Sequence, residues 1–539
     1  MRGKTRAIAA AGIVSLALVA TACGSGTTAS TKTIGALVVR GCTPQNELIP
    51  GNTGETCGGN IIDASFSKLV HYNSDTAKPE MDLAESIATT DSTVFTVKLK
   101  KGQKFSDGTE IKAKNFVDTW NYTALGTNGQ QSSYFFTPIK GFADTQCGDA
   151  DCKVAPKAEK LSGLAVVDDY TFTITTDSPT SNLVVRLGYS AFAPMPDAFF
   201  AAADKKAWAK SSLVSSGPYK VTTQDATAIV LERNTNYAGA YKGVPDKITF
   251  KIYNDDAAAY ADTLANNLDL LDIIPSANLA GDIWKTDLKD RNGTKATGVI
   301  QYMGFSPIDT NWKSVDLKKA ISMAVDRAAV IKAVFNGARV PATGWVSPVV
   351  DGYKANQCDA CTFDVTKAKE LYAKSGGYQG GPLTIWYNND GGHKQWVDAV
   401  CNQIKNNLGL ECVGSPTPKF KGMLDALKAK ELKGLFRLGW QMDYPSIENF
   451  LAPIYGKGAD SNYSEYDNPA FDKAMTDGAA AKTTEEANKI YQDAEAMLAK
   501  DQASIPTWYA QAQFGWSNKI TSVKMTPFGT WDFTSIVLK

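Results

Sequence analysis

The chain has 539 residues, 43% of them apolar and 21% charged, with 56 basic residues balanced by 56 acidic ones. This composition argues against disorder, and a formal net charge of zero leaves no basic footprint for nucleic acid. A chain this long exceeds one small core, so two or more lobes are expected.

The first residues read as an export signal. Arg2, Lys4 and Arg6 precede an apolar run from Ala7 to Ala20, too short to span a bilayer comfortably and ending in small residues. Ala20-Thr21-Ala22-Cys23-Gly24-Ser25 resembles a bacterial lipobox, with Ala20 standing where leucine is commonest. The resemblance implies removal of residues 1–22 and lipidation of Cys23; plain secretion is the alternative. Residues 23–33, rich in Gly, Ser and Thr, then read as a flexible tether. No later apolar run approaches membrane-spanning length.

Setting Cys23 apart leaves eight of the nine cysteines, an even number, in an exported chain that meets an oxidising compartment. They fall into close pairs: Cys42 with Cys57, Cys147 with Cys152, Cys358 with Cys361, and Cys401 with Cys412. Local disulfides are the simplest account. Cys358-Asp359-Ala360-Cys361 also fits a redox or zinc motif, but no second such motif and no histidine close in sequence accompanies it.

Ile34 to Val39 reads as the first strand of a core, followed by a loop over residues 41–59. Val94 to Leu99 alternates as a half-buried strand, Asp107-Gly108 is a turn signal, and Ala113 to Trp120 has helical spacing. Val166 to Ile174 is a hairpin turned at Asp168-Asp169, and Asp246 to Ile252 a further strand. From about residue 300 helical patterns lengthen. Val315 to Phe335 reads as one amphipathic helix stopped by Asn336-Gly337, and Asp364 to Tyr372 as a second, capped one. Pro382 to Tyr387 is a strand, His393 to Leu408 a helix, Leu435 to Asp443 a later strand and Thr484 to Lys500 a long helix. Strand, helix and strand in this order argue for an α/β lobe.

The most informative run is Leu435-Phe436-Arg437-Leu438-Gly439-Trp440-Gln441-Met442-Asp443-Tyr444-Pro445. If extended, it places Arg437, Gly439, Gln441 and Asp443 on one face and Leu438, Trp440 and Met442 on the other. A carboxylate ending an apolar strand is costly to desolvate unless a cation meets it. The plainer alternative makes Asp443 a turn residue capping the next helix with Pro445 and Ser446.

Trp440-Gln441-Met442-Asp443-Tyr444, with Asn449-Phe450-Leu451 beyond it, resembles the W-x-x-D-Y…x-F-L segment of oligopeptide-binding proteins, the extracytoplasmic receptors of ATP-driven (ABC) peptide importers. Residues 94–120 resemble the longer signature TF-x-L-R-x-G-x-x-F-S-D-G-x-x-x-x-A-x-D-V-x-x-S-W of family 5 solute-binding proteins, with Lys100 for arginine and Asn115 for aspartate. Ser216 to Tyr237, Val315 to Arg327, Asn462 to Asp472 and Ser504 to Tyr509 resemble further blocks of that family. The resemblance implies the type II periplasmic-binding-protein fold: two α/β lobes joined by two crossovers, with an extra subdomain inserted in the first. The expected limits are 34–300 for the first lobe, with the insert at about 75–205, then 301–504 for the second and 505–539 for the return.

Whole-chain counting disfavours catalysis. The two histidines, His71 and His393, sit in no recognisable catalytic setting, and no G-x-S-x-G, H-E-x-x-H or G-x-x-x-x-G-K-(S/T) motif occurs. A secreted hydrolase is therefore the distant alternative, and no metal or cofactor is expected.

Binding is the favoured reading. A free peptide offers an α-ammonium, a string of amides and a carboxylate, so a receptor indifferent to side chains needs a fixed anion, strand-like backbone and a distant cation. The resemblance implies Asp443 for the ammonium and the backbone of Gly439 and Gln441 for the amides. It assigns Arg437 and His393 to the carboxylate, Arg437 being suited by its bidentate fork. Trp440 is expected to line the cleft or pack in the core, and Tyr134 to face the ligand's amino end or pack as an ordinary aromatic. Arg437 as a solvated strand-end charge and His393 as a helix-start residue are the plainer alternatives. The expected partners are a short peptide and the permease and ATPase subunits of an importer, with the chain monomeric and membrane contact only through the lipid. Within the same fold the alternatives are a receptor for a dipeptide, nickel complex, haem or oligosaccharide, or a sensor of peptide signals.

Overall fold

A computed structural model describes residues 35–149, 151–459 and 461–539. The expected signal peptide, Cys23 and the tether lie outside the described residues.

Two lobes share one long mixed sheet. From edge to edge its strands are Cys412–Thr417, Leu383–Asn388, Leu435–Gln441, Asn292–Phe305, Ser504–Trp516, Leu270–Leu271, Ala36–Gly41, Lys247–Ile252, Ala228–Arg233 and Tyr219–Gln224. The long strands Asn292–Phe305 and Ser504–Trp516 serve both halves. They pair antiparallel with each other at both ends, and their register shifts between Ala296 and Ile300, where the sheet passes from one lobe to the other. Beyond the shift Asn292–Phe305 continues against Leu435–Gln441, while Ser504–Trp516 meets Leu270–Leu271 on the other side.

In the first lobe, Leu37, Val39, Ile248 and Phe250 pack with Ile61 and Ile62 of the helix Thr56–Ser65 and with the hairpin Ile520–Met525/Trp531–Leu538. A separate antiparallel sheet of Ala84–Ala88, Val94–Leu99, Thr171–Thr175 and Leu164–Asp168 packs against the helix Ala113–Ala124. Trp120 fills the centre of that body, edge-on to Phe172 and Phe192, with its indole N–H donated to the Phe192 carbonyl. In the second lobe Trp396 and Trp508 pack on one face of the sheet, and Phe450, Tyr491 and Leu498 form a core with the helices Glu448–Tyr455 and Thr484–Asp501. The disulfides join Cys42 to Cys57, Cys147 to Cys152, Cys358 to Cys361 and Cys401 to Cys412, so the Cys358–Cys361 motif is a closed bridge.

One expected element divides. The single helix over residues 315–335 is two helices, Val315–Met323 and Arg327–Phe335. Asp326 caps the second, accepting the Ala329 N–H at 2.9 Å. Arg327 is buried there without a carboxylate among its hydrogen-bond acceptors: it donates to the carbonyls of Pro506, Cys361 and Ser322 and to the Ser322 hydroxyl. These neutral acceptors, drawn from the helix end and from Cys361 and Pro506, serve a guanidinium that burial holds down to about 10.

Candidate functional site

The strand Leu435–Gln441 is paired unequally on its two sides. Its register with Asn292–Phe305 runs the whole way, from Leu435 opposite Phe305 to Gln441 opposite Val299. Its parallel partner, Leu383–Asn388, meets it only at Leu435 and Phe436. Residues 438–441 therefore keep one edge with no neighbouring strand among the described residues. The expected alternation holds, since Leu438 and Met442 are buried in the second-lobe core while Gly439 is half-buried and Gln441 exposed.

Asp443 stands where this open edge ends. It does not cap the next helix, Glu448–Tyr455, whose N-cap is Ile447. Instead Asn449 clamps it: the Asp443 N–H donates to Asn449 Oδ1 at 2.8 Å, and Asn449 Nδ2 donates to Asp443 Oδ2 at 3.0 Å. Trp440 Nε1 donates to the same Asn449 Oδ1 at 3.2 Å. Burial raises the Asp443 carboxyl to about 6, partly opposed by the Asn449 hydrogen bond and by the charge of Arg186. Arg186 is itself engaged elsewhere. Its guanidinium pairs with Glu448 at 3.2 Å and lies 4.8 Å from the centre of the Tyr444 ring. Asn182 Nδ2 and the Tyr444 hydroxyl also donate to Glu448 Oε2, at 2.7 and 2.8 Å. Residues before and after the cleft are thus bridged beside Asp443 by a polar cluster that leaves its carboxylate with a neutral amide as its hydrogen-bond donor.

First-lobe tyrosines, Tyr134 among them, lie within the electrostatic reach of that carboxylate. The phenols of Tyr189 and Tyr72 are pushed above their ordinary value, mainly by burial, and the negative charge of Asp443 adds to each. Tyr134 is 55% exposed, with its ring 4.4 Å from Phe135, which stacks at 4.0 Å on Tyr189.

Residues 78–462 match the profile of the bacterial extracellular solute-binding proteins, family 5 (middle). The chain belongs to this family. It is 25% identical over 515 residues to the oligopeptide-binding protein OppA of Bacillus subtilis, covering 91% of this chain and 92% of that one. It is 26% identical over 440 residues to the periplasmic oligopeptide-binding protein OppA of Salmonella typhimurium, covering 80% and 79%. The unliganded open form of MppA, a periplasmic murein tripeptide-binding protein, superposes with a TM-score of 0.80 at 22% identity, over 94% of this chain and 98% of that one. The fold is accordingly the type II periplasmic-binding-protein fold. Among the described residues no helix is long and apolar enough to cross a membrane.

The remaining expected site residues of this solute-binding protein fall into two groups. Arg437 is half-buried and donates to Asn388 Oδ1 at 3.2 Å, at the carboxyl end of the strand Leu383–Asn388, with Phe420 6.0 Å away. His393 lies in the same corner, since a Cβ on Gly391 would meet both its ring and the Asn388 amide. The helix-start placement of His393 is the one the structure describes. It is 8% exposed, precedes the helix Lys394–Leu408 as its N-cap residue, and accepts the Trp396 indole N–H at 3.1 Å. For Trp440 the structure describes the second of its two expected places, against the core. Its ring packs on the second-lobe core and its N–H is committed to Asn449, so it supports the clamp on Asp443 rather than offering a donor to the cleft.

Sequence reasoning missed the clamp residue Asn449, the bridge of Arg186, Asn182 and Glu448, and a cavity of about 160 Å³ in the first lobe. The cavity is built from residues 60–74, Asp82, 188–190, 218–250 and 526–534. The Asn449-Phe450-Leu451 block was the available signal for the clamp, read only as part of a family pattern. No local pattern marks the cavity, because its walls come from widely separated segments.

Proposed function

We propose that this protein captures short peptides with a free amino end in the cleft between its lobes and delivers them to the permease and ATPase subunits of an ABC importer. The observation that carries this reading is Asp443: a carboxylate raised by burial, clamped by Asn449, at the end of an open strand edge. An α-ammonium placed there would supply the cation that the desolvated carboxylate lacks in contact, and the edge of residues 438–441 would pair with the peptide's amides. Arg437, with Asn388 and His393 behind it, is the corresponding cation for the peptide carboxylate.

Binding proceeds by closure, with the sheet bending where Asn292–Phe305 and Ser504–Trp516 lose register. The lobes on this reading are 34–300 and 301–504, with the insert at about 75–205 and 505–539 returning to the first along a strand whose opening residues, Ile505 and Trp508, still pack in the second. The chain acts outside the cytoplasm as a monomer, held to the membrane through a lipid on Cys23.

The test is calorimetry with Ala-Ala-Ala and N-acetyl-Ala-Ala-Ala. Acetylation removes the ammonium and should weaken binding by at least about tenfold. Equal affinity rejects the peptide assignment. Mass spectrometry of co-purified ligand supplies an independent check, a peptide being the expected species.

A further inference from the structure

We propose that the corner holding Asp443 is the pivot about which the lobes close, and that Tyr444 fixes it there as a plug from the second lobe into the first. This rests on the peptide reading for what the lobes close upon, and adds to it which end of the ligand is met by a site already in place.

The plug shows in the packing. Tyr444 is 3% exposed and belongs to a hydrophobic cluster whose other buried members all lie between residues 69 and 192, in the first lobe. Met442 packs in the core of the second lobe. Asp443 is thus the single residue between two side chains buried in different lobes.

Polar contacts surround the plug. The Tyr444 hydroxyl donates to Glu448 at 2.8 Å, and Glu448 also receives Asn182 and Arg186 from the first lobe. A second set lies at the end of the helix Pro469–Ala479, where no further turn exists to supply N–H donors. The first lobe supplies donors there. The Ser181 N–H donates to the Ala479 carbonyl at 2.8 Å, the Ser181 hydroxyl to the Gly478 carbonyl at 2.9 Å, and the Ser92 hydroxyl to the Ala481 carbonyl at 3.4 Å. A helix of one lobe is therefore capped by the other. Separating the lobes here would bare a tyrosine ring and unpair these groups together, so this contact is the costliest one to open.

The bend of the sheet is tied to the same corner. Gly298 lies within the register shift of the two long strands. Its N–H donates to the Pro527 carbonyl of the first lobe at 2.9 Å, and its carbonyl accepts the Met442 N–H of the second at 2.8 Å. Glycine is required at 298, because a Cβ there would collide with the Met442 side chain. With the bend on one side and the plug on the other, Asp443 is the part of the cleft that moves least. Arg437 stands earlier on the strand, about 20 Å away along an extended chain, and swings through the larger arc. The ammonium site is complete before closure, and closure brings up the carboxylate end.

Hydrogen exchange on the intact protein, read at residue resolution by mass spectrometry, tests the pivot. Without ligand the Ser181 amide should already be slowed at least about 100-fold. Saturating Ala-Ala-Ala should change it by less than about threefold, while slowing the open-edge amides of residues 438–441 at least about tenfold. Tyr444→Ser should speed Ser181 exchange at least about tenfold in the unliganded protein and leave the Trp120 amide, deep in the first lobe, within about threefold. A Ser181 amide that exchanges freely without ligand and slows only with peptide would make the contact a product of closure and overturn the pivot. An unmoved Ser181 in Tyr444→Ser would strip Tyr444 of its role. If Ala-Ala-Ala protects nothing, the peptide reading falls, and the Ser181 amide of the unliganded protein still decides the pivot.

Discussion

The two walls of the cleft solve different problems with different materials. The second-lobe wall is one strand and the turn after it: an open backbone edge, Arg437 near one end and Asp443 at the other. On the peptide reading it grips what every peptide shares. The first-lobe wall is aromatic, a row of Tyr134, Phe135 and Tyr189 leading to a ring-lined cavity. On the same reading its rings offer surface to a side chain rather than an edge to a backbone. On this division affinity comes from the second lobe and preference from the first, and each can be broken separately.

The largest expected effect is on the charged wall. Asp443→Asn retains an acceptor for the Asn449 amide but removes the anion, and should weaken a free tripeptide by about 30- to 1,000-fold, the cost of losing one partner of a desolvated ion pair. Affinity for the N-acetylated peptide should hardly change. Melting temperature should hold or rise, because burial disfavours the ionised form of this carboxyl in the fold. Undiminished binding of the free tripeptide by Asp443→Asn would remove Asp443 from the site.

Acid weakens the same wall less severely. With its carboxyl at about 6, Asp443 is ionised at pH 7.5 and mostly protonated at pH 5. A bound ammonium favours the ionised form, so binding releases a proton at low pH and affinity falls as pH drops through 6. Calorimetry should show about tenfold weaker binding at pH 5 than at pH 7.5, with a dependence absent from Asp443→Asn. A flat profile in the native protein would contradict the assignment.

How much of each wall is legible in sequence follows from how it is built. Residues 435–443 are contiguous, so period-2 alternation places Leu438 and Met442 inward and Gly439 and Gln441 outward, as the fold does. Trp440 obeyed the same alternation, yet its indole N–H was spoken for by Asn449, a partner on the next helix that periodicity does not identify. His393 was placed correctly at a helix start, but its burial against Trp396 is a tertiary fact. The first-lobe wall was illegible for a stronger reason. Its rings arrive from segments hundreds of residues apart, as Tyr72 and Phe528 show, and no local spacing encodes their meeting. The split of the helix at residues 324–326 is an intermediate case. Asp326 is a visible N-cap signal, but the carbonyls that Arg327 meets on Cys361 and Pro506 are tertiary and are not.

The bridge between the walls can be loosened without touching either gripping surface. Arg186→Met removes the guanidinium that pairs with Glu448 and whose charge lowers the Asp443 carboxyl. The pH at which peptide binding is half lost should therefore move above about 6. Affinity at pH 7.5 should fall by about three- to tenfold as the lobes lose a partly buried pair. Small-angle scattering of the unliganded variant should show a larger radius of gyration than the native protein. A larger radius with an unmoved pH midpoint would separate the mechanical role of Arg186 from its electrostatic one.

Glu495 tests whether a raised carboxyl by itself implies a ligand. It is fully buried in the second-lobe core, accepts the Trp345 N–H at 2.8 Å, and is pushed up to about 7 by burial. Because its folded value lies above its ordinary one, its stabilising contribution is whole below about 4.5 and is lost as pH rises through 7. Glu495→Gln keeps the acceptor for Trp345 and cannot ionise, so it should melt about 1–3 °C higher than the native protein at pH 8 and at the same temperature at pH 5. Its peptide affinity and the acid dependence of binding should be those of the native protein. Burial alone raises Glu495; what sets Asp443 apart is the open strand edge beside it and the aromatic lobe in front of it. If Glu495→Gln abolished the acid weakening of peptide binding, that distinction would fail, and the pH response would belong to the core of the second lobe instead of the cleft.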